Sequence, residues 1–523
     1  MIKTGAAEGL YTRLCGERAP YLDRARDASK LTIPTIMPDE GHTAHTRQDT
    51  PYQSVGARGV NNLSSALLLS LLPPNAPFFR LVVDQAALND IEAEVGGEAL
   101  KTQIESSLAK IERSVVAEIE TQALRVHVYE ALRHLITCGN VLLHLPEEGG
   151  MRVIHLDRYV VKRGPMGEVL KIIVKESIAP ELLPKKLKEL VPVTKSSMGT
   201  DDSVDMYTCV QTLPNGKIKV FQEIGGTIVP GSEGTFDAEK SPYMPLRMNR
   251  THGEDYGRGY IEQYMGDLAS LESLMMSIVE ASAAAAKVLF LVAPNGVTRS
   301  RVLAEAKNGA IVEGSAGDVS CLQVNKAADF SITYQTVQTI SDRLSYAFLL
   351  TDNAIRNAER VTAAEVRLVQ QSIERQLGGI YSVLSQEFQL PLVNRIMDQM
   401  RADNRLPDLP SDLVRPTIIT GVEALGRGHD LNKMDEFLVG VGQLLGPEIL
   451  GQYVNYREYM DRRAMALGLD TDGLIRSEEE IQAQQQQQMM MDAARTFGPQ
   501  VVDAMAKQGM AGQEAAAAPP QQG

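Results

Sequence analysis

The hydrophobic period of this chain changes twice along its length, and that limits the possible folds more than any single motif does. Before residue 138, Ile104, Leu108, Ile111, Val115 and Ile119 recur at spacings of three and four, which places them on one face of a helix. After Gly139 the apolar runs become short and strand-like: Val141–Leu145, Val153-Ile154, Tyr159–Val161, Val169–Val174, Met206–Val210 and Lys217–Gln222. From Tyr260 the helical period returns through Ile261, Met265, Leu268, Leu271, Met275, Ile278 and Val279. The expected fold class is therefore α+β, mainly α, with a β module at about 140–245.

Punctuation refines this outline. Residues 1–80 read as helical segments separated by proline-marked turns. Pro20 is expected to precede an Arg/Asp-rich helix, Pro34 and Pro38 to bound an extended piece, and Gly56–Leu72 to form an apolar helix stopping at Pro73-Pro74. Residues 86–137 read as one long helical region. Within the β module, Asn215-Gly216 is a hairpin signal, Lys185–Leu190 a helical insertion and Gly225–Gly234 a loop. Short strands are expected at Val288–Val292 and Ile311-Val312, then a helix near 335–350 bearing Val337, Ile340, Leu344 and Phe348.

A polar break, Thr351–Arg360, precedes the longest periodic run: Val366, Val369, Ile373, Leu377, Ile380, Leu384 and Phe388, continuing to Ile396 and Met400. Roughly 40 residues at ~1.5 Å each would reach ~60 Å, with a kink expected at Pro391. A further helical module is expected from Pro410 to about 470. The tail from Ser477 carries Gln484–Gln488, Met489–Met491 and Ala515–Ala518, a composition expected to give a loose helix passing into disorder. No repeat of solenoid period is present.

Composition removes several function classes. With 52 Lys+Arg against 66 Asp+Glu, the net charge of −14 argues against a free-standing DNA binder, because tight phosphate binding needs clustered cations. It is compatible with a surface over which DNA slides. Cys15, Cys138, Cys209 and Cys321 have no zinc-like or CxxC spacing and read as free thiols. The most apolar stretches, Ala66–Leu72 and Ala281–Val292, fall short of the ~20 residues a membrane span needs, and the N-terminal residues lack a signal-peptide core. The expectation is a soluble chain made in a cytoplasm. Among phosphate loops the nearest match is Gly421–Gly428, which has Arg427-Gly428 where Lys and Ser/Thr should stand. HExxH and GxSxG are absent. His42 and His45 sit in a polar loop, and Asp201-Asp202 in a Ser/Gly/Thr-rich stretch; both read as solvated rather than as metal sites. No catalytic residue, cofactor or metal is assigned.

Several ordered motifs then point in one direction. They are Arg18-Ala19-Pro20-Tyr21 with Thr32-Ile33-Pro34, Thr50–Gly59 continuing through Asn61-Asn62-Leu63, Gly139–Leu143, and Tyr256–Glu262. Downstream come Glu359–Ala363, Gly378–Ser382 and Gly421–Gly428. In this order, over about residues 10–470, the chain resembles the portal, or head-to-tail connector, proteins of short-tailed bacteriophages of the autographivirus type. The match fades near 180–235 and in the tail.

The resemblance implies the portal fold of wing, stem, clip and crown, with a helical C-terminal barrel. It implies a homo-oligomeric ring of about twelve subunits at the capsid's portal vertex, through which double-stranded DNA is packaged and ejected. The implied partners are terminase, major capsid and scaffolding proteins, tail adaptor proteins and internal core proteins, with no membrane. Assembly would take place in the host cytoplasm. Carried onto this chain, residues 1–257 become the wing, 258–288 and 329–350 the stem helices, and 289–328 the clip. Residues 351–361 become the channel loop, 362–410 the kinked wing helix, 411–475 the crown and 476–523 the barrel or tail. Asn353, Arg356, Asn357 and Arg360 would then line the DNA channel, and Arg299, Arg301 and Lys307 would dock motor or tail proteins. Ala283, Ala284, Ala285 and Ala286 would allow close packing between ring neighbours. The alternatives are another neck or tail adaptor ring, and a DNA-processing enzyme, which would need the phosphate loop that Gly421–Gly428 fails to supply.

Overall fold

The computed structural model describes residues 5–42, 45–74, 77–83, 98–147, 149–179, 203–285, 289–322, 327–350, 377–407, 414–418 and 437–443, plus isolated positions. The chain divides into two units, Met1–Ala424 and Leu425–Gly523. In the second, the described residues include a helical stretch at 437–443.

Helix α1 (Ala7–Lys30) leads to α2 (Val55–Leu71), strand β1 (Phe79–Val83), α3 (Glu98–Thr121) and α4 (Leu124–Cys138). The β module follows: β2 (Asn140–His144), β3 (Arg152–Ile154), β4 (Tyr159–Arg163), β5 (Val169–Ile178), β6 (Val204–Thr212), β7 (Ile218–Ile224), β8 (Thr227–Ile228), β9 (Gly234–Phe236) and β10 (Tyr243–Arg247). Next come α5 (Met265–Ala285), β11 (Leu289–Val292), the short α6 (Ser300–Glu305), β12 (Val319–Leu322) and α7 (Ala327–Ala347). Helical residues 377–384 pass through a π-helical turn, Ser385–Gln389, into α8 (Leu390–Ala402), and β13 (Val414–Ile418) closes the unit.

The largest sheet runs β4-β5-β6-β7-β8, with β9 also pairing with β7. Strand alternation buries both of its faces. Tyr159, Val161, Ile172, Val174 and Val210 enter the main core, whereas Val160, Ile173, Cys209 and Phe221 pack under the start of α1 through Ala7, Tyr11 and Leu14. At that end Glu223 of β7 accepts the backbone N–H groups of Gly5 and Ala7 at 2.9 and 3.2 Å, placing a carboxylate where the first helical amides lack partners. A second sheet, β10-β2-β3, lies beside α4 and the π-turn, and its buried Val141, Leu142, Leu143, Met244 and Leu246 join the same core.

Local expectations needed correction where long-range packing outweighs local preference. Pro20 lies inside α1 and does not precede it: one missing amide bond is outweighed by a face that buries Tyr11, Leu14, Leu22 and Ala25. The region to residue 137 is two helices, α3 and α4, broken where Ala123 takes φ +51°. Gly225–Gly234 is no plain loop. Gly225 and Gly226, at φ +52° and +80°, turn β7 into β8, and Gly234 begins β9. Ile311-Val312 is not a strand, because β11 pairs with Val319–Leu322, and Ile311 is left fully exposed. The expected disturbance near Pro391 takes the form of the π-turn: Pro391 has no N–H for the carbonyl four residues back, and the helix widens just before it. Residues 79–83, next to the expected N-terminal helices, form β1, and 414–418, expected to be helical, form its antiparallel partner β13. Pro416 sits opposite Leu81 in that two-stranded sheet, where a missing amide is tolerated. The Lys185–Leu190 insertion, the first part of the long periodic run and the tail lie outside the described residues.

Candidate functional site

The motifs Thr50–Leu63, Gly139–Leu143 and Tyr256–Glu262 are far apart in sequence but meet around the bases of α5 and α7. Gly139 ends α4 at φ +77°, and a Cβ there would stand 2.4 Å from the Arg258 carbonyl carbon. Only glycine fits. Next to it, buried Asn140 donates from Nδ2 to the Gly257 carbonyl and accepts the Gly257 amide on Oδ1, both at 2.7 Å. One side chain thereby supplies the two hydrogen bonds of a strand pair and fixes the chain entering α5. Arg258 pairs with Glu254 at 2.7 Å and Glu262 at 3.2 Å, and Arg24 of α1 reaches Glu262 at 3.2 Å. These bonds hold the Glu254 carboxyl below, and the Arg258 guanidinium above, their ordinary pKa values.

The Thr50–Asn62 motif grips the same two helices. Glu272 of α5 accepts the backbone amides of Tyr52 and Gln53 at 2.9 and 3.1 Å. Gln53 in turn donates to the Leu31 carbonyl at 2.6 Å and accepts the Gly56 amide at 2.9 Å, joining the end of α1 to the start of α2. A Cβ at Gly59 would lie 2.4 Å from the Phe348 ring, so α2 approaches the end of α7 only as glycine. Asn62 donates from Nδ2 to the carbonyls of Phe348 at 3.0 Å and Leu349 at 2.8 Å. These bonds satisfy helix-end acceptors where Leu349 adopts φ +55°. Tyr260 adds a hydroxyl bond to the Ala347 carbonyl at 3.0 Å and stacks in a cluster with Tyr264 and Phe348. Arg343 of α7 and Asp267 of α5 close an ion pair at 2.7 Å.

Arg18 secures the other end of the β module. Its buried guanidinium reaches the carbonyls of Leu156, Asp157 and Tyr159 at 2.7–2.9 Å, which offsets the cost of burying the charge. Further in, Arg247 of β10 and Arg163 of β4 face Glu387 on the π-turn. Burial pulls the Arg163 pKa down to about 10 while Glu387 opposes the shift.

Beyond this joint the α5–α7 pair changes character. Leu268 and Leu271 are buried, as are Val337, Ile340 and Leu344. Farther from the joint, Met276 is 41% exposed, Val279 46% and Ile332 65%. The β11–β12 hairpin continues this pattern, with Leu291, Val297, Val302 and Ile311 all exposed. Its internal order comes from polar contacts: Asp318 accepts the Thr298 amide and hydroxyl at 3.1 Å, which lowers its pKa.

The residues singled out from sequence are distributed as follows. Arg299 immediately precedes α6, Arg301 lies on it and pairs with Glu305 at 3.1 Å, and Lys307 follows it; all three are exposed. Ala283 is exposed in the last turn of α5, which also holds Ala284 and Ala285. Ala286, the loop residues Asn353, Arg356, Asn357 and Arg360, and the Asp201-Asp202 and Gly421–Gly428 segments lie outside the described residues. His42 and His45 are exposed. Among the described residues no helix is long and apolar enough to cross a membrane. Among the described residues, sequence reasoning missed a cluster of potential metal ligands, Glu130, His134 and His155. Its only sequence signal is the one-turn spacing of Glu130 and His134; His155 is brought in by the fold.

This arrangement, a mixed body whose signature motifs anchor a helix–hairpin–helix segment, is matched by a known class. The model of the bacteriophage head to tail connecting protein family covers residues 4–475, and the chain belongs to that family. It is 40% identical to the portal protein of Escherichia phage T7, over 99% of this chain and 97% of the relative. It is 39% identical to the portal protein of Enterobacteria phage T3, over 94% and 91%, and 30% identical to that of Enterobacteria phage SP6, over 96% and 97%.

Proposed function

We propose that this chain is the portal subunit of a short-tailed phage. It assembles into a closed ring, of about twelve copies, at one vertex of the capsid, and double-stranded DNA enters and leaves through the centre. The observation that carries the ring is the contrast along α5 and α7, whose bases are locked to the body while Met276, Val279 and Ile332 remain exposed. A second copy is the occupant that suits such a face: a cyclic ring repeats one heterologous contact until it closes, and family membership supports that geometry. The α5–α7 pair is the stem and 289–328 the clip that docks terminase and later tail proteins. Body residues are assigned to the wing and 411–475 to the crown, and the pairing of 414–418 with β1 supports a crown that starts somewhat later than residue 411. The reading assigns the chain no catalysis, and its site of action is the virion.

Residues 351–361 join the stem to the long helix and contain Asp352, Asn353, Arg356, Asn357, Glu359 and Arg360. We assign this polar loop to the channel wall, where repeated guanidinium groups meet phosphates and the neighbouring carboxylates limit the holding force.

Native mass spectrometry tests the ring. The parent is expected to give closed oligomers, and Met276→Asp with Ile332→Asp to give folded subunits that do not close. Monomers or dimers of the parent across ordinary salt would overturn the reading. For the loop, reversing Arg356 and Arg360 should leave rings intact but reduce DNA retention in a salt-dependent way. Unchanged retention at low and high salt rejects the loop assignment.

A further inference from the structure

We propose that Glu130, His134 and His155 form a binding site for a zinc ion, which ties α4 to the connection between β3 and β4. Glu130 and His134 stand one turn apart on α4 and so project side by side. His155 arrives from the residue preceding the short turn Leu156–Arg158. One ligand atom from each of the three lies within 4.8 Å of the others. Around tetrahedral zinc, donors at ~2.0–2.1 Å sit roughly 3.4 Å apart, so the ligand atoms need to close by at most about 1.4 Å to hold the ion.

The state of His134 is the second, independent observation. It is only 3% exposed, and its Nδ1 has no hydrogen-bond partner. Leaving a buried polar atom unpaired costs about 1–3 kcal/mol, and a bound ion would supply the missing partner. The His134 and His155 rings are already held edge to face at 4.4 Å between centroids. Two imidazoles and one carboxylate favour a borderline metal such as zinc over calcium or magnesium, which prefer all-oxygen shells. Three protein donors leave one position for water. His155 also lines a cleft of 550 Å³ with His42, Asp157 and Arg158, so one ligand of the set borders open space. The neighbouring Arg133 guanidinium works against the cation, and the Glu130 carboxylate offsets it. A zinc ion here would brace α4 just before Gly139 and Asn140, the residues that position α5.

Zinc uptake by the full-length assembled protein, stripped with chelator and dialysed against micromolar free zinc, tests the site. One zinc per chain is expected, with a thermal midpoint that rises on loading. His155→Ala and the surface change Glu130→Gln should each weaken binding at least about tenfold, the lower range for loss of even an outer-shell partner, and remove the midpoint rise. Cobalt in place of zinc should give a spectrum without a thiolate charge-transfer band. A parent that takes up no zinc, variants that bind as tightly as the parent, or a thiolate band pointing to the cysteines would each overturn the proposal.

Discussion

The α4–β2–β10 body and the β11–β12 hairpin both consist of short strands joined to helices, yet they are stabilised in opposite ways. In the body, Val141, Leu142 and Leu143 are fully buried, and the buried Asn140 side chain and Arg18 Nη1 make hydrogen bonds at 2.7–2.9 Å. In the hairpin, Leu291, Val297 and Ile311 are exposed, and order rests on polar contacts between Asp318 and the buried Thr298. Burial supplies most folding free energy and is proportional to apolar area removed from water. The body has an extensive core of its own, whereas the hairpin and the neighbouring turns of α5 and α7 leave apolar side chains exposed.

The sharpest way to break that comparison is a single methyl group placed in each region. Gly139→Ala puts a Cβ against the backbone of Arg258 and Gly259 at a positive φ, and neither neighbour can move without shifting α5. A loss of roughly 4 kcal/mol is expected in denaturant unfolding. Gly309→Ala in the hairpin also has a positive φ, but no atom lies within 4 Å, so about 1 kcal/mol is expected. Equal costs would mean that the joint is no tighter than the hairpin.

A pH titration probes the body alone. His144 of β2 lies flat on Tyr243 of β10 at 4.3 Å, and burial, helped by Arg152 and Arg395 and opposed by Glu176, takes its pKa from 6.5 down to about 4. Between those values the unfolded chain holds a proton that the folded chain does not. Stability should therefore be fully present above pH 6.5 and fall as the pH drops towards 4, by on the order of 3 kcal/mol for this residue. His144→Phe keeps the stack and should flatten that part of the profile. An unchanged slope in the variant would assign the acid sensitivity to other groups.

Where the two regions join, Asn62→Ala removes both bonds to the Phe348 and Leu349 carbonyls. About 1–2 kcal/mol should be lost, because the helix-end acceptors stay partly buried. If α7 detaches from α2 as a result, hydrogen exchange should rise at 345–350 and not in β4–β7.

Periodicity made most elements legible, including the Asn215-Gly216 turn and the α5–α7 pair, because each depends on residues close in sequence. The β1–β13 sheet was not, since it pairs Phe79 with Ile418 across most of the chain and contains Pro416, a poor strand former. Ile311-Val312 misled for a related reason: β-branched residues favour a strand only where a partner edge exists, and β11 had already paired with 319–322. At the site, the family motifs could be read as words, but not that Asn140 grips Gly257 or that Asn62 caps α7. Those contacts span 117 and 286 residues, and no local pattern encodes them. Arg299, Arg301 and Lys307 lie at the surface, where charged residues among turns usually stand, and exposure alone does not distinguish a docking role from simple solvation.

The smallest effect on the subunit is expected from those same cations. Arg301 is exposed and pairs only with the exposed Glu305 one turn away, an arrangement worth a few tenths of a kcal/mol. Arg299 precedes α6 without an ion pair among the described residues. Reversing both to Glu should leave the unfolding midpoint within about 0.5 kcal/mol of the parent, as is usual for surface changes. Ring formation should persist too, since the apolar faces of α5 and α7 are untouched. A binding measurement against the motor or tail proteins, at low and at high salt, then separates the two roles a surface charge can have. If 289–328 is a docking surface, affinity falls and the deficit shrinks as salt screens the lost attraction. If the guanidinium groups are only solvated, binding matches the parent at every salt concentration and the docking assignment for these residues is wrong. A folding defect from so exposed a pair would refute the contrast itself, because it would give the hairpin a core of its own.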